Sequence, residues 1–91
     1  MLFTYSICIS GKVQGVFFRQ TAKEKANALG ITGEVMNLPD DRVQIIATGT
    51  KEQLEELTGW CRQGPSKAKV ENVIIQELPL RTFRGFTVIH K

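Results

Sequence analysis

The sequence predicts an α+β fold in which an antiparallel sheet carries two helices on one of its faces. Three observations lead there. Apolar residues alternate with polar ones in several short runs. They shift to helical spacing in two longer segments. The runs follow one another as strand, helix, strand, strand, helix, strand, with a short further strand at the end.

Over residues 2–10, Phe3, Tyr5, Ile7 and Ile9 fall on one face and Thr4, Ser6, Cys8 and Ser10 on the other. A period of two with aromatic and β-branched residues marks a strand. After the loop Gly11-Lys12-Val13-Gln14-Gly15-Val16 the period changes. Phe18, Ala22, Ala26 and Leu29 recur at helical spacing, with Lys23, Glu24 and Lys25 as a solvated face, and Gly30 stands where a helix end favours a residue without a Cβ. Residues 33–38 and the set Val43, Ile45, Ala47 read as a hairpin closed by Leu38-Pro39-Asp40-Asp41. Thr50-Lys51-Glu52-Gln53 is a capping box that opens a second helix with Leu54, Leu57 and Cys61 as its buried stripe and Trp60 half-buried, stopped by Gly64-Pro65. Val70 to Leu78 is a β-branched strand, Pro79 to Arg84 an exposed polar turn with Arg81 and Arg84, and residues 85–89 a last short strand. This order is the split β-α-β, or ferredoxin-like, sandwich. Such a fold hosts many activities, so function must be read from particular residues.

At 91 residues the chain is expected to be one domain, residues 1–91. A content of 42% apolar and 23% charged residues is too apolar for a disordered chain. The net charge of +3 suits an anionic ligand but is weak for a dedicated nucleic-acid binder. No apolar run approaches the roughly 20 residues of a membrane helix, and Met1-Leu2-Phe3-Thr4 does not open a signal peptide. A cytoplasmic monomer is the expectation. Cys8 and Cys61 are far apart, outside any C-x-x-C pairing, and read as buried free thiols. With His90 as the one histidine, the set is too small for a zinc site and makes a nucleophile paired with histidine improbable.

Gly11 to Arg19 joins a strand to a helix start. Such a loop can aim backbone N–H groups at one point, where the helix end adds partial positive charge. Arg19 offers a planar fork that binds two phosphate oxygens. The segment lacks the G-x-x-x-x-G-K-[ST] pattern of a nucleoside triphosphate loop. Read locally, such a turn with one arginine is more often a plain connection than an anion site. Asn37 closes the second strand. The first and second strands run parallel in this topology, so Asn37 and Arg19 can face one site from the same sheet edge. Locally, Asn37 also reads as a turn-capping side chain.

These residues carry a resemblance. Gly11-Lys12-Val13-Gln14-Gly15-Val16-Phe17-Phe18-Arg19 resembles the acylphosphatase loop signature G-x-V-Q-G-V-x-F-R. Gly33-Glu34-Val35-Met36-Asn37-Leu38-Pro39-Asp40-Asp41-Arg42-Val43, with Gly49 beyond, resembles the family's second signature, G-x-V-x-N-x-x-D-G-x-V and a later glycine. Leu29-Gly30, Gly64-Pro65 with Ala68 and Val70, and Gly85-Phe86 extend the likeness across nearly the whole chain. One position departs: Asp41 stands where the family has glycine. Asp-Asp there implies strain or a different bend, a slight change in the aim of Asn37, and a carboxylate that opposes an anion if it points inward.

The resemblance implies metal-independent, cofactor-free hydrolysis of acyl phosphates to carboxylate and phosphate. Arg19 and the N–H groups of Gln14, Gly15, Val16, Phe17 and Phe18 would hold the phosphoryl oxygens, or inorganic phosphate. Asn37 would orient the attacking water, and the substrate's own phosphate would take its proton. Acetyl, carbamoyl and glyceroyl phosphates present the same phosphoryl group, so broad specificity is expected. Phe17 and Phe18 read as core packing and loop anchoring rather than ligand stacking. An RNA-binding domain shares this topology, but the third strand, Arg42 to Thr48, has no aromatic residue on which a base could stack. A non-catalytic anion-sensing domain stays open as the alternative, distinguished by binding phosphate without turnover.

Overall fold

Each periodic run becomes the element its period implies. In the computed structural model, which describes residues 1–90, strand β1 (Phe3–Lys12) leads into helix α1 (Phe18–Leu29), then β2 (Thr32–Asn37), β3 (Val43–Gly49), helix α2 (Lys51–Cys61), β4 (Lys69–Leu78) and β5 (Phe86–Ile89). The sheet order is β4-β1-β3-β2-β5. The four long strands pair antiparallel, as expected. The short β5 departs from that pattern by pairing parallel to β2, with Gly33 opposite Phe86 and Met36 opposite Ile89, which makes the sheet mixed. The alternation along residues 86–89 cannot distinguish the two directions, because side chains alternate between faces in either.

One apolar core joins the sheet to both helices. Ile7 and Ile9 of β1, Val35 of β2, and Val43, Ile45 and Ala47 of β3 meet Phe18, Ala22 and Ala26 of α1 and Leu54, Leu57 and Cys61 of α2. Full burial of a side chain such as Phe18 or Leu57 stabilises by about 2 kcal/mol. Half-buried Trp60 tilts against Phe18, ring centroids 5.2 Å apart. On the other face of the sheet, Thr4 and Thr48 are buried as well. Their hydroxyls lie 2.7 Å apart, the Arg81 N–H donates to Thr4 at 2.9 Å, and Thr48 donates to the Arg81 carbonyl at 2.7 Å. The segment 79–84 is therefore a strap bonded through its backbone. The side chain of Arg81 stays exposed, over the ring of Phe83.

The helix ends follow from their sequences. At the end of α1, Gly30 adopts φ 76°, its N–H bonds the Asn27 carbonyl, and the Ile31 N–H bonds the Ala26 carbonyl. This is the paired closure that a left-handed residue permits. At the start of α2 the Gln53 N–H donates to Thr50 Oγ1 at 3.2 Å and the Thr50 N–H to Gln53 Oε1 at 2.8 Å. Gln53 Nε2 also reaches the Leu29 carbonyl at 2.8 Å, joining the end of one helix to the start of the other. Gln53→Ala leaves the Thr50 N–H and the Leu29 carbonyl without these partners. We expect it to lower stability by about 1–2 kcal/mol in urea unfolding, more than an exposed substitution such as Glu52→Ala.

Cys8 is half-buried rather than buried, and its Sγ accepts from Arg42 Nη1 at 3.2 Å. Cys61 is fully buried, and that burial pushes its thiol from 9.0 up to about 12 against the lesser pull of the Arg62 charge. Between those values the unfolded chain releases a proton that the folded chain keeps. This contribution to stability is therefore present below pH 9.0 and lost as pH rises toward about 12. Unfolding measured from pH 8 to 11 should show a shallower decline for Cys61→Ala than for the wild type, from its lower starting stability.

Candidate active site

Strand β1 delivers the chain to the site through a β-bulge at Ser10 and Gly11, where the register with β4 shifts. A Cβ on Gly11 would lie 2.2 Å from the Lys69 carbonyl, so only glycine lets the two strands stay this close. The loop that follows holds Gly15 at φ 73° and Phe17 at φ 64°. Left-handed residues in such a turn curl successive N–H groups around one point. Among the described residues, no turn or loop hydrogen bond takes the N–H of Gln14, Gly15, Val16 or Phe17. The left-handed backbone costs a residue with a Cβ about 1–2 kcal/mol. At Phe17 it is held by Thr21, whose N–H and hydroxyl both donate to the Phe17 carbonyl, at 3.0 and 2.8 Å.

Phe17 is also the N-cap of α1, and it supplies no side-chain cap. The first turn of α1 contains no acidic residue, whereas α2 has a full capping box and Glu52. Thus α1 presents uncapped N–H groups and the positive end of its dipole to the cavity, whereas α2 carries a capping box and an acidic residue at its start.

The side chain of Gln14 serves the hairpin, which leaves the role expected of Gln14 to its backbone N–H. Its Nε2 donates to the carbonyls of Leu38 and Arg42, each at 2.9 Å, so the side chain pins the β2–β3 hairpin to the loop. Val16 is buried in the core. Neither lines the cavity, so their contribution there is limited to backbone. The hairpin itself is closed by Leu38 N–H to the Arg42 carbonyl at 2.8 Å. Asp41, exposed, takes φ 71°, so the aspartate keeps a glycine-like turn under strain rather than bending differently. Arg42 is occupied by Asp40, at 2.7 Å.

The elements converge on a cavity of about 270 Å³ lined by Val13, Gly15, Phe17, Phe18, Arg19, Gln20, Asn37, Val88 and His90. A second, of about 150 Å³, is lined by Arg19, Asn37, Ile89 and His90. Arg19 and Asn37, 18 residues apart in sequence, meet here. Among the described residues, neither lining contains a carboxylate, and Asp41 stands outside both. Arg19 Nη1 is held by the Ile89 carbonyl at 3.2 Å and lies 3.3 Å from His90 Nδ1. Asn37 Oδ1 is buried with no hydrogen-bond partner among the described residues. Phe18 packs in the core as expected, but Phe17 does not: it is 72% exposed at the cavity rim. Sequence reasoning missed His90 and Ile89 as neighbours of Arg19, because the parallel docking of β5 brings them there.

Fold and cavity together define a ferredoxin-like domain whose cleft combines an arginine, an unpartnered amide and an uncapped helix start. The acylphosphatase family model matches residues 5–88. An acylphosphatase of Marinobacter nauticus is 47% identical over 87 residues, covering 94% of this chain and 95% of its own. Among solved structures, an acylphosphatase from Coxiella burnetii superposes with a TM-score of 0.93 at 38% identity, covering 97% of this chain and 93% of its own. One from Bacillus subtilis gives 0.93 at 31%, covering 99% and 100%. The chain belongs to the acylphosphatase family, hydrolases that act on acyl phosphates.

Gln14→Leu removes the donor shared by two hairpin carbonyls. We expect a loss of about 1–3 kcal/mol in urea unfolding, with hydrogen exchange rising in residues 38–42 before the rest of the sheet.

Proposed function

We propose that this chain hydrolyses small acyl phosphates by gripping the phosphoryl group with Arg19 and the loop Gln14–Phe18 while Asn37 orients the attacking water. The observation that carries the reading is the meeting of Arg19, the uncapped start of α1 and Asn37 in one cavity that, among the described residues, holds no carboxylate. The bonds of Arg19 leave from Nη1, so Nε and Nη2 are available to two phosphoryl oxygens. The loop N–H groups and the helix end supply further donors to the same oxygens.

The chemistry asks for little more. Asn37 holds the attacking water through its side-chain amide, which turns an oxygen lone pair toward phosphorus. The bond from water oxygen to phosphorus forms as the bond from phosphorus to the acyl oxygen breaks, and the carboxylate departs with that electron pair. A phosphoryl oxygen of the substrate takes the water's proton. The products are carboxylate and inorganic phosphate. A carboxylate, with a conjugate-acid pKa of about 4, leaves without protonation. The transition state is loose, with charge spread over the equatorial oxygens, so fixed donors and positioning carry the acceleration. On this reading the protein works as a monomer in the cytoplasm.

Hydrolysis of benzoyl phosphate, with a chelator present, tests this. We expect turnover by the wild type and a fall in kcat/KM of about 100-fold or more for Arg19→Ala, with Arg19→Lys recovering little because a point charge cannot grip two oxygens. Asn37→Ala should lower kcat with a smaller change in KM. Circular dichroism must show all the variants folded. Folded wild type without turnover, or variants with undiminished turnover, would overturn the proposal.

A further inference from the structure

We infer that Phe17 is a specificity residue, whose exposed ring takes the acyl group and favours apolar and aromatic acyl phosphates over small polar ones. The inference rests on the proposed hydrolysis and extends it to the half of the substrate that the phosphoryl grip leaves undefined.

The apolar lining of the larger cavity is unevenly available. Val13 and Phe18 are 1% and 2% exposed, spent in the core, and Val88 is half-buried. Phe17, at 72%, is the apolar lining residue with an exposed side chain. It stands two residues before Arg19, so a substrate held by that guanidinium has the ring close by. In-line displacement gives the direction. The attacking water and the leaving oxygen lie on opposite sides of phosphorus. If Asn37 on β2 holds the water, the acyl group extends away from β2, toward solvent and the loop wall to which Phe17 belongs.

The backbone supports the same assignment. Among the described residues, Phe17 is one of two with a side chain that take positive φ, and the other is an aspartate in a hairpin turn. Glycine would relieve the strain, and the exposed ring returns no core packing for it. The left-handed turn does, however, direct the ring outward at the cavity mouth, with its carbonyl fixed by two bonds from Thr21. A benzoyl or long acyl chain can lie on that ring and lose water-exposed surface from both partners, while acetyl has little surface to bury. The result is a graded preference laid over a phosphoryl grip common to all acyl phosphates.

The test is the ratio of kcat/KM for benzoyl phosphate to that for acetyl phosphate, measured for the wild type, Phe17→Gly and Phe17→Tyr. Glycine accepts the positive φ, so it removes the ring while permitting the turn. We expect the ratio to fall about fivefold in Phe17→Gly, carried by KM for benzoyl phosphate, and to stay within about twofold in Phe17→Tyr, from the usual worth of aromatic contacts. A ratio unchanged in Phe17→Gly, even if both rates drop together, would overturn the inference and leave Phe17 a loop residue. Wild type that hydrolyses neither compound would sink the proposed hydrolysis itself, and the inference with it. The acetyl phosphate rate of the wild type thus reports on the first reading, and the ratio reports on Phe17.

Discussion

Strand β3 lies between β1 and β2 and pairs antiparallel with each. That single arrangement makes β1 and β2 run the same way, although they never touch. The exit of β1 into the loop and the end of β2 at Asn37 therefore arrive at one edge of the sheet, and α1 begins there. Every component of the site depends on this. Arg19 stands in the first turn of α1, Asn37 on the last residue of β2, and β5 docks beside β2 so that Ile89 and His90 reach Arg19. Gln14 then ties the loop to the hairpin with two bonds, coupling the two walls directly.

Electrostatically, the two helices divide the labour. Helix α2 begins with the Thr50–Gln53 capping box and sets the acidic Glu52 against its dipole. Helix α1 begins on a left-handed phenylalanine with no cap and no acidic residue. Its uncompensated end is a local cost to stability, offset by the burial of Phe18, Ala22 and Ala26 behind it. The same uncapped end faces a lining whose fixed charge, among the described residues, is Arg19. Position, rather than the modest net charge of the chain, is what makes the cleft attractive to an anion.

Much of this was legible in the residues. The alternation in β1, the capping box at Thr50 and the Gly30 closure are local signals, and local physics governs them. The shared edge of Arg19 and Asn37 followed from strand direction, which the element order implies. What was not legible depends on contacts distant in sequence. A short apolar run says nothing of whether it pairs parallel, so β5, and with it His90, went unplaced. The Arg81 strap is made by backbone groups, which every residue has alike. Gln14 carries an amide that could have faced either the cavity or the hairpin, and only the three-dimensional path decides. Phe17 and Phe18 are chemically identical neighbours, and the left-handed turn between loop and helix sends one into the core and the other to the rim. At Asp41 the family likeness left strain or a changed bend open, and the φ of 71° resolves it as strain.

The pairing of β1 has a kinetic side. Its partners are β3 and β4, so Tyr5 must find Ala47 and Glu77 across long stretches of chain, whereas β2 and β3 meet through a short hairpin. Closing long loops is entropically dear and slow. The hairpin bearing Asn37 can therefore assemble early, but the loop that leaves β1 takes its shape only once β1 has threaded between its two distant neighbours. Arg19 and Asn37 are brought together by the same late event that completes the sheet, so a molecule has its cleft only when it has nearly all of its fold.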